Sequence, residues 1–322
     1  MTSATLTFDL VDIDMALPFG LQPLTSVGAT PFQGPQQFIG TEIMTSNRAT
    51  VIRGMMRSFQ DPSVEREVVC KYRDGDISTI EHEASLYDDQ LRDLQGVCVP
   101  HFYGLFKGTR YDREGKKLDV ACIILEYFEE HRKWDLWKGP IQTRGEIAVA
   151  MLKIHFSGLR HCAFRDEHVL VSADGQVRIV DFARACEHDC DASPKITVWE
   201  WEPSRSSYGC NEMYDVMRLL GLWTPGFFPF MGTYVHIFSF PYHEDLAKWY
   251  LEKLSSSRAP NIVEEITQRA KETLEHYYAQ YEDRFPHIGD PRKLKEERDE
   301  LKQRELKKKE AAENETGPSG SP

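Results

Sequence analysis

The stretch His161-Cys162-Ala163-Phe164-Arg165-Asp166-Glu167-His168-Val169-Leu170-Val171-Ser172-Ala173-Asp174-Gly175-Gln176-Val177-Arg178-Ile179-Val180-Asp181-Phe182-Ala183-Arg184-Ala185 decides how the rest of the chain is read. Its pattern is loop, strand, tight turn, strand and then an acidic residue. Val169-Leu170-Val171 is a short apolar run. Ala173-Asp174-Gly175-Gln176 supplies the turn, with Asp-Gly as the hairpin signal. Val177-Arg178-Ile179-Val180 alternates and returns. Asp181 then stands at the end of a buried strand, where a carboxylate is costly unless it holds a partner.

Composition sets the bounds. The chain has 322 residues, enough for one large domain or two lobes around a sizeable core. Hydrophobic residues make up 41% and charged residues 28%, as in ordinary globular proteins. A net charge of -12 disfavours a general affinity for nucleic acid or an anionic membrane. No apolar run reaches membrane-spanning length, and the N-terminus shows no basic region followed by an apolar core. The seven cysteines are scattered and odd in number, which points to reduced thiols in an intracellular, cytoplasmic setting. No internal repeat is visible.

Upstream of the opening stretch, residues 1–36 carry Pro18, Pro23, Pro31 and Pro35 and read as an irregular arm, with Leu17, Phe19 and Leu21 able to pack on the body. Residues 38–44 and 50–56 predict a hairpin over Thr45-Ser46-Asn47-Arg48, and residues 68–72 a third strand ending near Lys71. Ser78-x-x-Glu81 is a capping box, followed by Ile80, Ala84, Tyr87, Leu91 and Leu94 on one helical face, with Glu83 at its edge. Residues 120–125 form a fully apolar strand that runs into Glu126-Tyr127-Phe128. Thr143-x-x-Glu146 opens another helix, with Ile147, Met151, Ile154 and His155 on one face and Gly158 at its end.

Taken in this order, residues 40–185 resemble the protein-kinase-like family, in a divergent, mainly fungal branch with a degraded catalytic loop. The family pattern is His-x-Asp, four residues, Asn, strand, turn, strand and Asp-Phe-Gly. His161 matches the His, and Asp181-Phe182-Ala183 matches Asp-Phe-Gly with Ala for Gly. Ala163 stands where the catalytic Asp belongs and His168 where the Asn belongs. The resemblance implies an α+β, two-lobed protein-kinase-like fold, with a small β-rich N-lobe carrying helix C and a mainly helical C-lobe. The implied boundaries are an arm over 1–36, an N-lobe over 37–128, a C-lobe over 129–285, and a charged helix and disordered tail over 286–322.

The resemblance also assigns roles. Lys71, Glu83 and Asp181 would serve phosphate contact, lysine alignment and metal. Leu125, Glu126 and Phe128 would line an adenine pocket with Lys71 and Asp181. Asp181 and His168 would face the metal, and His161 would stack near Phe182 beneath Tyr87. ATP and Mg are the implied cofactors. A lysine on a strand surface, a solvated glutamate and a central strand ending in a loop are the plainer readings of the same residues.

Loss of a general base costs roughly 10²- to 10⁴-fold. Magnesium prefers oxygen ligands to the nitrogen of His168. The implied function is therefore a pseudokinase-type nucleotide-binding or scaffold module with weak or no phosphotransfer, working with a protein partner. Two alternatives stay open. One is an active atypical ATP-dependent kinase in which Asp166 compensates. The other is a scaffold that binds no nucleotide.

Downstream, Cys186-Glu187-His188-Asp189-Cys190 matches no standard zinc spacing, and no second ligand pair follows at a useful distance, so no metal is expected there. Residues 211–223 form an amphipathic helix with Met213, Val216, Leu219 and Leu220 inward. The aromatic residues at 227–230 and 234–242 suit a core, and two helices follow over 244–254 and 262–281. From Pro291 the chain is nearly all charged, with Leu294, Leu301 and Leu306 as apolar punctuation, and reads as a single helix with intrahelical ion pairs.

Overall fold

The computed structural model describes residues 4–10, 23–28, 30–31, 34–45, 49–61, 65–129, 135–136, 138–254, 260–284, 290, 292–293, 296 and 299–300. The expected hairpin tip at 46–48, the side chains of Leu17, Phe19 and Leu21, and the charged segment and tail from 301 onward lie outside the described residues. The chain divides into two compact units. One comprises residues 1–196 with 205–221, and the other residues 197–204 with 222–322.

The first unit is built on a closed barrel. Its strands are β1 (Thr5–Leu10), β2 (Leu24–Val27), β3 (Pro35–Thr45), β4 (Thr50–Ser58), β5 (Glu65–Asp74), β6 (Phe102–Tyr111) and β7 (Lys117–Glu126). They run around the barrel in the order β1-β2-β6-β7-β5-β4-β3. Closure depends on β1, which pairs parallel to β3 with Leu6 beside Gln36, and antiparallel to β2 with Leu6 beside Leu24. The strand β2 in turn pairs with β6. Alternation along each strand places every second residue inside. Val68, Cys70 and Tyr72 of β5 join Leu6, Phe38 and Phe106 in the buried interior. Each fully buried Leu or Phe there contributes about 1.5–3 kcal/mol. The strand β7 is buried on both faces from Val120 to Leu125, because helix α1 (Ser78–Asp88) covers its outer side.

This architecture overturns the two-lobed protein-kinase-like fold with a small β-rich N-lobe and a mainly helical C-lobe. The protein is a β-barrel-rich α+β chain with six α-helices among the described residues, most of them in its C-terminal part. The physical reason lies in residues 1–36. They read as an arm but supply β1 and β2, which cover the sheet edges at β3 and β6. A sheet with no free edge escapes the unpaired N–H and C=O groups of an open one.

The remaining elements of the first unit carry the opening stretch. Helix α2 (Ile141–Phe156) ends where Gly158 takes a φ of 87°, a conformation glycine adopts without strain. Then follow β8 (Leu159–Arg160), a 3-10 turn at Asp166–His168, β9 (Val169–Val171), β10 (Val177–Ile179) and β11 (Cys186–Glu187). The predicted hairpin is β9–β10, with Val171 opposite Val177 and Gly175 at φ 85° in the turn. Short α3 (Arg205–Tyr208) and α4 (Asn211–Leu219) complete the unit. Met213, Tyr214, Val216 and Met217 of α4 are buried, whereas Leu219 is exposed.

The second unit pairs β12 (Phe227–Phe230) with β13 (Thr233–His236), followed by α5 (His243–Lys253) and α6 (Pro260–Arg284). Phe228, Phe230, Val235, Leu246, Ala270 and Leu274 form its core, with Phe238 and Phe240 packed against it, whereas Tyr234 and Tyr242 of the aromatic stretch are exposed. Among the described residues no helix is long and apolar enough to cross a membrane.

Candidate functional site

Lys71 and its neighbours owe their meeting to strand alternation. With Cys70 and Tyr72 facing into the barrel, Lys71 must face out, toward α1. Just ahead of that helix stands Asp76, whose Oδ1 accepts the Ser78 N–H at 3.1 Å and the Ser78 hydroxyl at 2.6 Å. The capping box expected of Ser78 and Glu81 does not form: the N-cap position, Ile77, has no side-chain cap, and Glu81 pairs with Lys107. Ile80, Ala84 and Tyr87 turn inward and carry Glu83 with them into full burial.

The Glu83 carboxylate needs compensating charge there. Lys71 Nζ lies 2.6 Å from Glu83 Oε2 and 2.5 Å from Asp181 Oδ1. The second oxygen of Glu83 accepts the Phe182 N–H at 3.1 Å. The second oxygen of Asp181 accepts from His168 Nε2 at 3.1 Å, and His168 Nδ1 donates to the Ala163 carbonyl at 2.7 Å. All four carboxylate oxygens of the cluster are thus engaged. Both ring nitrogens of His168 face acceptors.

The electrostatics follow from these contacts. The hydrogen bond from His168, joined by the charge and hydrogen bond of Lys71, holds the Asp181 carboxyl far below the usual carboxylate range, against the effect of its own burial. Burial opposes the charge of Lys71, but Glu83 and Asp181 outweigh it and raise the ammonium pKa. His161 is buried and donates from Nε2 to the Val180 carbonyl at 3.0 Å. Burial pushes its pKa from 6.5 down to about 4, so the ring is neutral.

Backbone shape completes the site. Asp181 has a φ of 67°, in the left-handed region that Asp and Asn tolerate better than most residues. This reversal turns the carboxylate to Lys71 while Phe182 N–H meets Glu83. The Phe182 ring packs edge-on to Tyr87 at 5.7 Å and lies 5.0 Å from His161. His161 therefore packs against Phe182, with the two rings tilted rather than stacked.

The other expected residues separate into two groups. Leu125 is buried on β7 opposite Val69. Glu126 ends that strand, and its Oε2 accepts the His101 N–H at 3.1 Å and lies 4.0 Å from Arg178 Nε. Phe128 lies under the Arg178 guanidinium at 4.7 Å. Arg178, which the sequence reading treated as one residue of an alternating strand, is thus a buried cation facing both Glu126 and Phe128. Its signal was a charged residue inside an otherwise apolar strand. Asp166 is exposed on its 3-10 turn.

Magnesium is tested by this donor set. It binds through one or two carboxylates plus ligand phosphates. Asp181 offers one carboxylate and so fits that minimum. His168 presents N–H to Asp181 where a ligand would need a lone pair.

Compared with known proteins, the chain matches no family model and no curated protein. With the barrel closed and no family matched, the resemblance to the protein-kinase-like family is withdrawn. The roles of the residues rest on their own geometry.

Proposed function

We propose that the Lys71–Glu83–Asp181 cluster is the phosphate-contacting part of a nucleotide-binding site, with ATP as the ligand to test first, in a module that binds without phosphotransfer. The observation that carries this reading is the buried lysine held between Glu83 and Asp181. An ammonium aligned by a buried carboxylate at the end of a rigid strand is a preorganised phosphate contact. Asp181 would hold magnesium arriving with the phosphates, and the metal would neutralise phosphate charge. Lys71 would then exchange its Asp181 contact for a phosphate oxygen while Glu83 keeps it in place. Leu125 and Glu126 end β7, the neighbour of β5, with Phe128 just beyond it, and would contact the base.

Transfer chemistry needs a group that accepts the proton of an attacking hydroxyl. The carboxylate oxygens of the cluster are already engaged, Ala163 carries no acceptor on its side chain, and Asp166 faces solvent. This favours binding over turnover.

One observation favours a second reading. Every carboxylate oxygen of the cluster already has a protein donor, as in a structural network inside a scaffold. Isothermal titration of ATP, with magnesium and again with EDTA, separates the two. Heat of binding that disappears in Lys71→Met/Glu83→Gln supports the nucleotide site. The absence of binding in the wild-type protein would leave the scaffold reading. The paired substitution is used because it removes both buried charges together.

A further inference from the structure

Away from the Lys71 cluster, four ligand-type side chains converge within the first unit. His155 lies in the last turn of α2, His188 and Cys190 follow β11, and Cys210 immediately precedes α4. One ligand atom from each lies within 4.8 Å of every other. His155 Nε2 and Cys210 Sγ are 3.5 Å apart, and the His155 and His188 ring centres are 4.8 Å apart.

A tetrahedral zinc ion, bonded at about 2.0–2.1 Å to nitrogen and about 2.3 Å to sulfur, holds its ligand atoms about 3.3–3.8 Å from one another. The His155–Cys210 edge already has that separation. The widest pair needs to contract by about 1 Å, within reach of rotamer adjustment.

The surroundings supply an independent argument. His155 Nδ1, His188 Nε2 and Glu212 Oε2 are buried without a hydrogen-bond partner. Three such atoms in one place are unusual in a folded interior. Zinc on His155 Nε2 leaves Nδ1–H free to donate to Glu212 Oε2, now 3.7 Å away. The other oxygen of Glu212 accepts the Cys162 N–H at 3.1 Å, which fixes the carboxylate. A histidine that ligates through one nitrogen and donates to a carboxylate through the other is the usual outer support of a zinc ligand.

We propose that His155, His188, Cys190 and Cys210 form a structural zinc site that ties the end of α2, the segment after β11 and the start of α4 together. Two thiolates and two imidazoles suit zinc rather than magnesium or calcium. Binding releases the two thiol protons, and the two thiolates then balance the charge of the ion. Four protein ligands leave no open position, so the site is structural and not catalytic. The spacing of Cys186 to Cys190 did not point to metal because two of the four ligands lie on distant elements, and Cys186 is not among them.

The test uses the full, untagged chain, purified with reductant, loaded with zinc and freed of excess by gel filtration. Elemental analysis should find about one zinc per chain. Cys190→Ser and Cys210→Ser should each bring this below about a tenth, while Cys162→Ser retains it. Glu212→Gln should keep the site but weaken zinc binding about 10- to 100-fold. Because a ligand variant can fail to fold, the wild-type protein is also loaded with cobalt(II). Intense visible bands of four-coordinate cobalt with thiolate-to-metal charge transfer support the site, and weak six-coordinate bands overturn it. The proposal is also overturned if the reduced wild-type chain holds no zinc, or if Cys190→Ser/Cys210→Ser retains as much as wild type, which would mean an adventitious ion only.

Discussion

Replacing Lys71 by methionine removes one charge and keeps most of the side-chain volume, so its effect measures what the ammonium does for Glu83. The Glu83 side chain is 0% exposed and that of Lys71 is 11% exposed, whereas Asp181 is 39% exposed and keeps His168. The loss therefore falls on Glu83, left with the Phe182 N–H as its remaining donor. Breaking a buried pair in this way costs about 3–5 kcal/mol. For a unit of this size that corresponds to a fall in Tm of about 6–20 °C. Adding Glu83→Gln removes the stranded charge while its amide oxygen still accepts from Phe182. Lys71→Met/Glu83→Gln should then recover about 2 kcal/mol relative to Lys71→Met alone. The assay is hydrogen exchange of β5 and α1 at neutral pH. Trp199, Trp201, Trp223 and Trp249 belong to the second unit, so their fluorescence reports on that unit. Equal destabilisation of the single and double variants, within about 0.5 kcal/mol, would refute the coupling.

Two further outcomes are expected. The folded pKa of His161 is depressed from 6.5 to about 4, so the unfolded chain takes up its proton first and stability falls as pH drops through that window. The loss amounts to about 3 kcal/mol by the bottom of the window. Urea midpoints should fall less with acidification in His161→Phe than in wild type, and parallel curves would show that His161 is not the group responsible. Leu6→Ala tests closure of the barrel. Leu6 is fully buried, so the substitution should cost about 2–5 kcal/mol, whereas on an unpacked arm it would cost under about 0.5 kcal/mol. Thermal unfolding separates these values.

The elements of the site were legible where local pattern and tertiary role agree. Asp-Gly between two apolar runs specified β9–β10, and the lone lysine in 68–72 stood out because its neighbours alternate inward. The helical face of Ile80, Ala84 and Tyr87 put Glu83 at its edge, whereas packing buries it fully, and the expected Ser78 capping box does not form. The barrel was missed because closure is a non-local fact. Thr5-Leu6-Thr7-Phe8-Asp9-Leu10 alternates as a strand should, but the prolines that follow drew the whole segment into a loop reading. Its partner, Pro35–Gly40, begins with another proline. The His155–Cys210 group was hidden for the same reason. Its ligands come from a helix end, a loop and the residue before another helix, and their nearness exists only after those elements pack.

Closure also sets an order of events. Thr25 of β2 lies opposite Lys107 of β6, and β1 cannot be held on both sides until β2 and β3 are in place. On a chain emerging from the ribosome, β1, β2 and β3 are all available long before β6 is made. The first strands must wait with an unsatisfied edge while β4, β5 and α1 are still being added. Long-range pairing of this kind slows folding and lengthens exposure to other chains. The N-terminal strands therefore depend on a strand made about 80 residues later. Removing β6 should leave β2 as an open edge and turn a closed barrel into a template for aggregation.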